Sequence, residues 1–86
     1  MTPLLVTNIS SNISRIDLKN VFQRFGKVIE VNAIRDKDGQ PTGTMVVKFL
    51  SANSAEKALE LLQGVALDGH PLKIKYPEQK PVIRYN

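Results

Sequence analysis

Residues 42–49, Thr-Gly-Thr-Met-Val-Val-Lys-Phe, follow the turn-forming run Asp38-Gly39-Gln40-Pro41 and are rich in side chains that suit a pleated backbone. The spacing predicts a β-strand. Alternation sends Gly43, Met45, Val47 and Phe49 to one face and Thr42, Thr44, Val46 and Lys48 to the other. The first set is core, with Phe49 its largest member. The second is neither fully dry nor plainly solvated, so what contacts that face becomes the functional question.

The other elements fall into place around this strand. Pro3–Ile9 is a short apolar run ending in a cluster of Ser and Asn, which predicts a buried strand followed by a loop. Ser14 stands three residues before Asp17, a capping-box pattern, with Ile13 placed to staple against Leu18. The helix that starts there carries Leu18, Val21, Phe22 and Phe25 on one stripe and stops at Gly26, about three turns later. Val28–Arg35 alternates as a second strand, with Val31 and Ala33 inward and Asn32 and Ile34 on the other side. The polar turn Asp36-Lys37-Asp38-Gly39 joins it to residues 42–49 as an antiparallel hairpin. A second helix begins at Ser51 or Ser54, either of which is able to cap it, and repeats the stripe with Ala55, Ala58, Leu59 and Leu62. After Gly64, the segment Asp68-Gly69-His70-Pro71 turns the chain into a last strand, Leu72–Tyr76. The stretch Pro77–Asn86 contains two prolines and no periodicity, so no regular element is expected there.

This order predicts an α+β fold, a ferredoxin-like βαββαβ sandwich with a four-stranded antiparallel sheet and two helices on one face. Residues 1–76 form the domain and residues 77–86 a C-terminal tail. A chain of 86 residues supports one core with little to spare, and the absence of cysteine excludes disulfides and thiolate metal sites. No apolar run approaches a membrane span and the amino terminus lacks signal-peptide character, so a soluble intracellular protein is expected. Twelve Lys and Arg against eight Asp and Glu give a formal charge of +4, which permits a polyanionic partner without requiring one.

The hexamer Leu4-Leu5-Val6-Thr7-Asn8-Ile9 and the octamer Thr42–Phe49 are joined by Leu18–Val28, Ala55–Leu59 and Leu67–Leu72 in a fixed order and spacing. Together they resemble an RNA recognition motif over nearly the whole chain. The resemblance implies single-stranded RNA as partner, a place in RNA processing such as pre-mRNA splicing, and nuclear residence, with the cytoplasm also compatible. It also implies base stacking on one aromatic of the hexamer and two of the octamer, with a basic residue at the octamer's first position. Those positions are Leu5, Thr44, Val46 and Thr42, none aromatic or charged. Since stacking contributes roughly 1–3 kcal/mol per base, RNA contact without it is expected to be weak.

Alternation rebuilds the uncovered face from Leu5 and Thr7, Asn32 and Ile34, Thr42, Thr44, Val46 and Lys48, then Lys73 and Lys75. These are the candidate RNA-binding residues, with Arg35 and Lys37 at the adjoining loop. The aliphatic members make an apolar centre and the lysines a phosphate-contacting rim. Arg15, Lys19, Arg24 and Lys27 read as a solvated helix face.

Catalysis finds no support. His70 sits alone between Gly69 and Pro71, and Asp36-Lys37-Asp38-Gly39 lacks the later ligands and closing glutamate of a calcium loop. No nucleophile and base are brought together, and no cofactor or metal is expected. Two functional classes stay open: an RNA-binding module, and a protein-interaction module that uses the aliphatic face or another surface. A tryptophan-peptide mode known for a subclass of the family is disfavoured, because Val65-Ala66-Leu67-Asp68-Gly69 replaces its Arg-x-Phe and the first helix is basic. Val82, Ile83 and Tyr85 leave two readings open: a tail folded back over Leu5, Ile34 and Val46, or a disordered terminus whose apolar residues belong to a partner interface or a neighbouring domain.

Overall fold

The computed structural model describes residues 1–77. In chain order the elements are β1 (Thr2–Thr7), α1 (Arg15–Phe22), a 3₁₀ turn (Gln23–Phe25), β2 (Val28–Arg35), β3 (Pro41–Phe49), α2 (Ala52–Leu62), β4 (Ala66–Leu67), β5 (His70–Pro71) and β6 (Lys73–Lys75). Strands β2, β3, β1 and β6 pair in that spatial order, every neighbour antiparallel, and both helices lie against one side of the sheet. This is the ferredoxin-like sandwich that the periodicities require.

Local chemistry explains the element boundaries. Ser14 Oγ accepts from the Asp17 amide at 3.1 Å and the Asp17 carboxylate accepts from the Ser14 amide at 3.0 Å, completing the capping box of α1. Only Arg15–Phe22 of the first helix is α-helical, and its last turn tightens into the 3₁₀ segment before Gly26. Gly26 has φ 152°, and a Cβ there would lie 2.0 Å from Ser54 Oγ, so the backbone approaches α2 more closely than any side chain allows. Ser51 caps α2 through the Asn53 amide, which leaves Ser54 for that contact.

The core lies between sheet and helices. Leu4, Val6, Val47, Phe49 and Ile74 from the strands meet Leu18, Phe22, Ala55, Ala58 and Leu62 from the helices, all buried. Phe22 and Phe49 are fully buried with ring centroids 6.3 Å apart. Burying one such side chain stabilises a fold by about 1.5–3 kcal/mol, and no disulfide supplements it here.

Three features depart from simple alternation. A register shift between Val28 and Glu30 adds a residue to β2, so Val28 and Val31 both face the helices although they stand three apart. A second irregularity, between Ile34 and Arg35, pairs Ile34 with Thr44 and Arg35 with Pro41, leaving Thr42 and Gly43 as the extra residues of β3. Gly43 sits at φ 76°, where an added Cβ would stand 3.2 Å from the Ile9 carbonyl oxygen. Finally, residues 66–71 form a short β4–β5 hairpin that the sequence reading treats as a turn, and the last sheet strand covers only Lys73–Lys75 of the expected Leu72–Tyr76.

Candidate nucleic-acid interface

The sheet register arranges the outer face in rows. Asn32 pairs with Val46, Val46 with Leu5, and Leu5 with Lys75, so these four cross the sheet side by side. Below them Ile34 pairs with Thr44 and Thr7 with Lys73. Above them Glu30 pairs with Lys48 and Lys48 with Pro3. The structure thus gathers Leu5, Thr7, Asn32, Ile34, Thr44, Val46, Lys48, Lys73 and Lys75 on one surface. No helix of the described residues lies over it.

Thr42 is placed differently from the rest. It sits in the bulge beside Gly43, and its hydroxyl donates to the Ile34 carbonyl at 2.7 Å, so its backbone does not continue the alternation of Thr44, Val46 and Lys48. Next to the bulge, Ile9, Ile13, Pro41 and Met45 line a small apolar cleft of about 120 Å³.

The centre of the face is apolar: Leu5 and Val46 are half-buried and Ile34 is 42% exposed. Thr7 contributes a hydroxyl that donates to the Lys73 carbonyl at 3.4 Å. At the upper edge Lys48 Nζ lies 3.1 Å from Glu30 Oε2. A hydrogen bond from the Asn32 side chain, and then Lys48, hold the Glu30 carboxyl below the usual carboxylate range. Part of the Lys48 charge is therefore answered within the protein. The sequence reading omits Glu30, yet it shares the parity of Asn32 and Ile34, and extending the alternation two residues upstream finds it.

The ends of the face are held by side chains. Asn8, at φ 63°, donates from Nδ2 to the Pro71 carbonyl at 2.8 Å. Ser10 Oγ donates to Asp68 Oδ2 at 2.5 Å and Asn12 Nδ2 to the same oxygen at 3.0 Å, tying the loop after β1 to the β4–β5 turn. These bonds, from Ser10 first and then Asn12, lower the Asp68 pKa. In the hairpin loop Asp36 Oδ1 accepts from the amides of Asp38 and Gln40 at 2.9 and 3.0 Å, and Arg35 donates to the Gly39 carbonyl at 3.0 Å. This is an Asx-type turn that uses the Asp36 carboxylate internally. His70 is exposed in β5, and no group of three metal-ligating side chains occurs among the described residues. The proposed docking of Val82, Ile83 and Tyr85 lies outside the described residues.

Comparison with known proteins matches this geometry. A family model described as RNA recognition motif matches residues 4–73. Nucleolin 1 of Oryza sativa subsp. japonica is 36% identical over 77 residues, which cover 90% of this chain and 13% of that protein. RNA-binding protein 7 of Bos taurus is 36% identical over 73 residues, or 85% of this chain and 28% of that protein. Among solved structures, the second RRM domain of the yeast poly(U)-binding protein superposes with a TM-score of 0.82 at 27% identity, covering 94% of this chain and 99% of that one. The chain spans only a small part, 13% to 28%, of these two curated relatives. By fold, strand order and the match over residues 4–73, the chain belongs to the RNA recognition motif family.

Proposed function

We propose that the chain is a single-stranded RNA-binding module acting in RNA processing such as pre-mRNA splicing, with residues 1–76 as the binding unit and the outer sheet face as the contact surface. Binding runs through Lys48, Lys73 and Lys75 and the polar groups of Thr7, Asn32, Thr42 and Thr44, without stacking on β1 or β3. The observation that carries this reading is the row Asn32, Val46, Leu5, Lys75, which crosses all four strands with no helix of the described residues over it. Relatives named RNA-binding protein 7 and 29 kDa ribonucleoprotein, chloroplastic, support the ligand class. Nuclear residence is the setting this reading favours.

With Leu5, Thr44 and Val46 at the stacking positions, roughly 1–3 kcal/mol per base is missing, so affinity is weak and phosphate-dominated. Two or three lysine contacts to a single strand predict a log–log salt slope of about −1.4 to −2.1. The test measures fluorescence anisotropy of short labelled RNAs over a salt series, with the parent and a Lys48→Gln/Lys73→Gln/Lys75→Gln variant. The variant is expected to lose binding while melting as the parent does. Equal binding by the two would remove the sheet face from the reading.

One observation favours a second reading. Leu5, Val46 and Ile34 form an apolar centre, and Glu30 answers the charge of Lys48. Both suit an apolar protein segment better than a phosphate chain. No RNA binding by the parent at low salt would favour this alternative.

A further inference from the structure

The two edges of the four-stranded sheet are finished differently. At β6 the amide side chain of Gln63 bonds both the carbonyl and the amide of Ile74. At the opposite edge no strand of the described residues pairs with the outer side of β2, which leaves a row of backbone donors and acceptors open to an extended chain. The surface beside that edge is apolar and basic. Ile16 on α1 is 71% exposed and Ile29 on β2 is 40% exposed. With Glu30 and Val31 of β2 and Arg15 and Lys19 of α1 they line a cleft of about 140 Å³ between helix and strand. That volume is well below the ~300–1,000 Å³ of small-molecule sites and suits a single aliphatic side chain. Ile29 is the residue that the bulge adds, without a partner on β3, and a bulge re-aims the side chain it adds. Arg15 and Lys19 stand four apart on one side of α1, and neither has an ion pair or a side-chain hydrogen bond among the described residues. The acid of the lining, Glu30, is already engaged with Lys48 at 3.1 Å.

We propose that the β2 edge and the α1–β2 cleft dock an extended acidic peptide of another protein, which adds a strand to β2, seats one aliphatic side chain in the cleft and sets its carboxylates against Arg15 and Lys19. Each part of the surface selects one part of that partner. The open edge supplies main-chain pairing, Ile16 and Ile29 supply apolar area, and the two cations set the sign of the charge. A nucleic-acid strand would use the cations but would leave the isoleucines and the edge amides without matching groups. The bulge interrupts the ladder at residues 28–30, so the added strand runs along residues 31–34, where the register with β3 is regular, with its aliphatic anchor at the Ile29 end. A strand added there extends the sheet sideways and leaves the outer face with Lys48, Lys73 and Lys75 uncovered. The proposal is therefore independent of RNA binding, and the two ligands are able to bind together.

The test titrates the full 86-residue chain, isotope-labelled for backbone-amide spectra, with a synthetic octapeptide that alternates Glu with Val and Ile. Two controls carry Lys in place of Glu, or N-methyl groups on every backbone amide. The acidic peptide is expected to shift the amides of Arg15, Ile16, Lys19 and residues 29–34. The Lys peptide should bind about ten-fold more weakly or worse, and the N-methylated peptide should not bind. Arg15→Gln/Lys19→Gln and Ile16→Ser, all at exposed positions, should each weaken the acidic peptide by about three-fold or more while melting as the parent does. Absence of shifts up to about 1 mM peptide, or equal affinity for the acidic and Lys peptides, overturns the proposal. So does a pool of short single-stranded RNAs that moves Arg15, Ile16 and Lys19, which would make the surface a nucleic-acid site. A concentration-dependent dimer in sedimentation that Ile29→Ser abolishes would overturn it in favour of a second copy of this chain.

Discussion

Strand β6 is the edge of the sheet and only three residues long, yet it carries two of the three lysines of the candidate interface. What holds its outer side is Gln63, the residue that closes α2. Its Nε2 donates to the Ile74 carbonyl at 2.5 Å, and its Oε1 accepts from the Ile74 amide at 2.8 Å. One amide side chain thus fills the two bonding positions that a further strand would use, which also blocks edge-to-edge association. Each bond contributes about 0.5–1.5 kcal/mol net, and water replaces part of it at an edge, so Gln63→Ala should cost about 1–2 kcal/mol. Gln63→Glu should cost more at neutral pH, because a carboxylate oxygen replaces the donor facing the Ile74 carbonyl. It should regain stability in acid as that carboxyl protonates. Urea unfolding gives the energies, and hydrogen exchange at the Ile74 amide gives the location. An Ala variant with unchanged midpoint and unchanged Ile74 exchange would refute the clamp.

Phe49→Ala should cost about 3–5 kcal/mol in the same unfolding assay, since the ring is fully buried against Phe22 at 6.3 Å and this core has no disulfide behind it. Gly43→Ala should cost about 1–2 kcal/mol, because φ 76° disfavours any Cβ and the Ile9 carbonyl is 3.2 Å away. Asp17, Glu30 and Asp68 all have pKa values lowered in the fold, by Ser14, by Asn32 with Lys48, and by Ser10 with Asn12. Depressed folded values give stability that is fully present above the ordinary values of 3.8 for Asp and 4.5 for Glu and is lost as pH falls through the lower folded ones. Unfolding measured from pH 6 downward should therefore show a decline confined to the acid side, and Asp68→Asn should flatten part of it.

The sheet face was legible because period-two alternation in β3 and β6 is clean: Val47, Phe49 and Ile74 are buried while Lys73 and Lys75 are not. The start of α1 was legible for an equally local reason, the Ser14–Asp17 pair. Alternation fails where backbone geometry changes. At Gly43 a positive φ inserts extra residues, so the position of Thr42 does not follow from that of Thr44. The bulge at Ile29 sends Val28 and Val31 to the same side despite their opposite parity. The β4–β5 hairpin was missed because each strand has two residues, too short for any periodicity. Its signal was the Asp68-Gly69 pair, with both residues at positive φ, a dipeptide favoured in two-residue hairpin turns. Strand parity groups Tyr76 with buried Ile74, yet Tyr76 is 48% exposed and stands just beyond the end of β6 at Lys75.

The central claim is that the outer face of the sheet, rather than the helices, meets single-stranded RNA. A backbone-amide titration with a pool of short single-stranded RNAs tests it residue by residue. The account predicts salt-sensitive shifts at Leu5, Thr7, Asn32, Ile34, Thr44, Val46, Lys48, Lys73 and Lys75, with Arg15 and Lys19 on the helical side unmoved. Shifts confined to α1 and α2, or none at low salt, would contradict it.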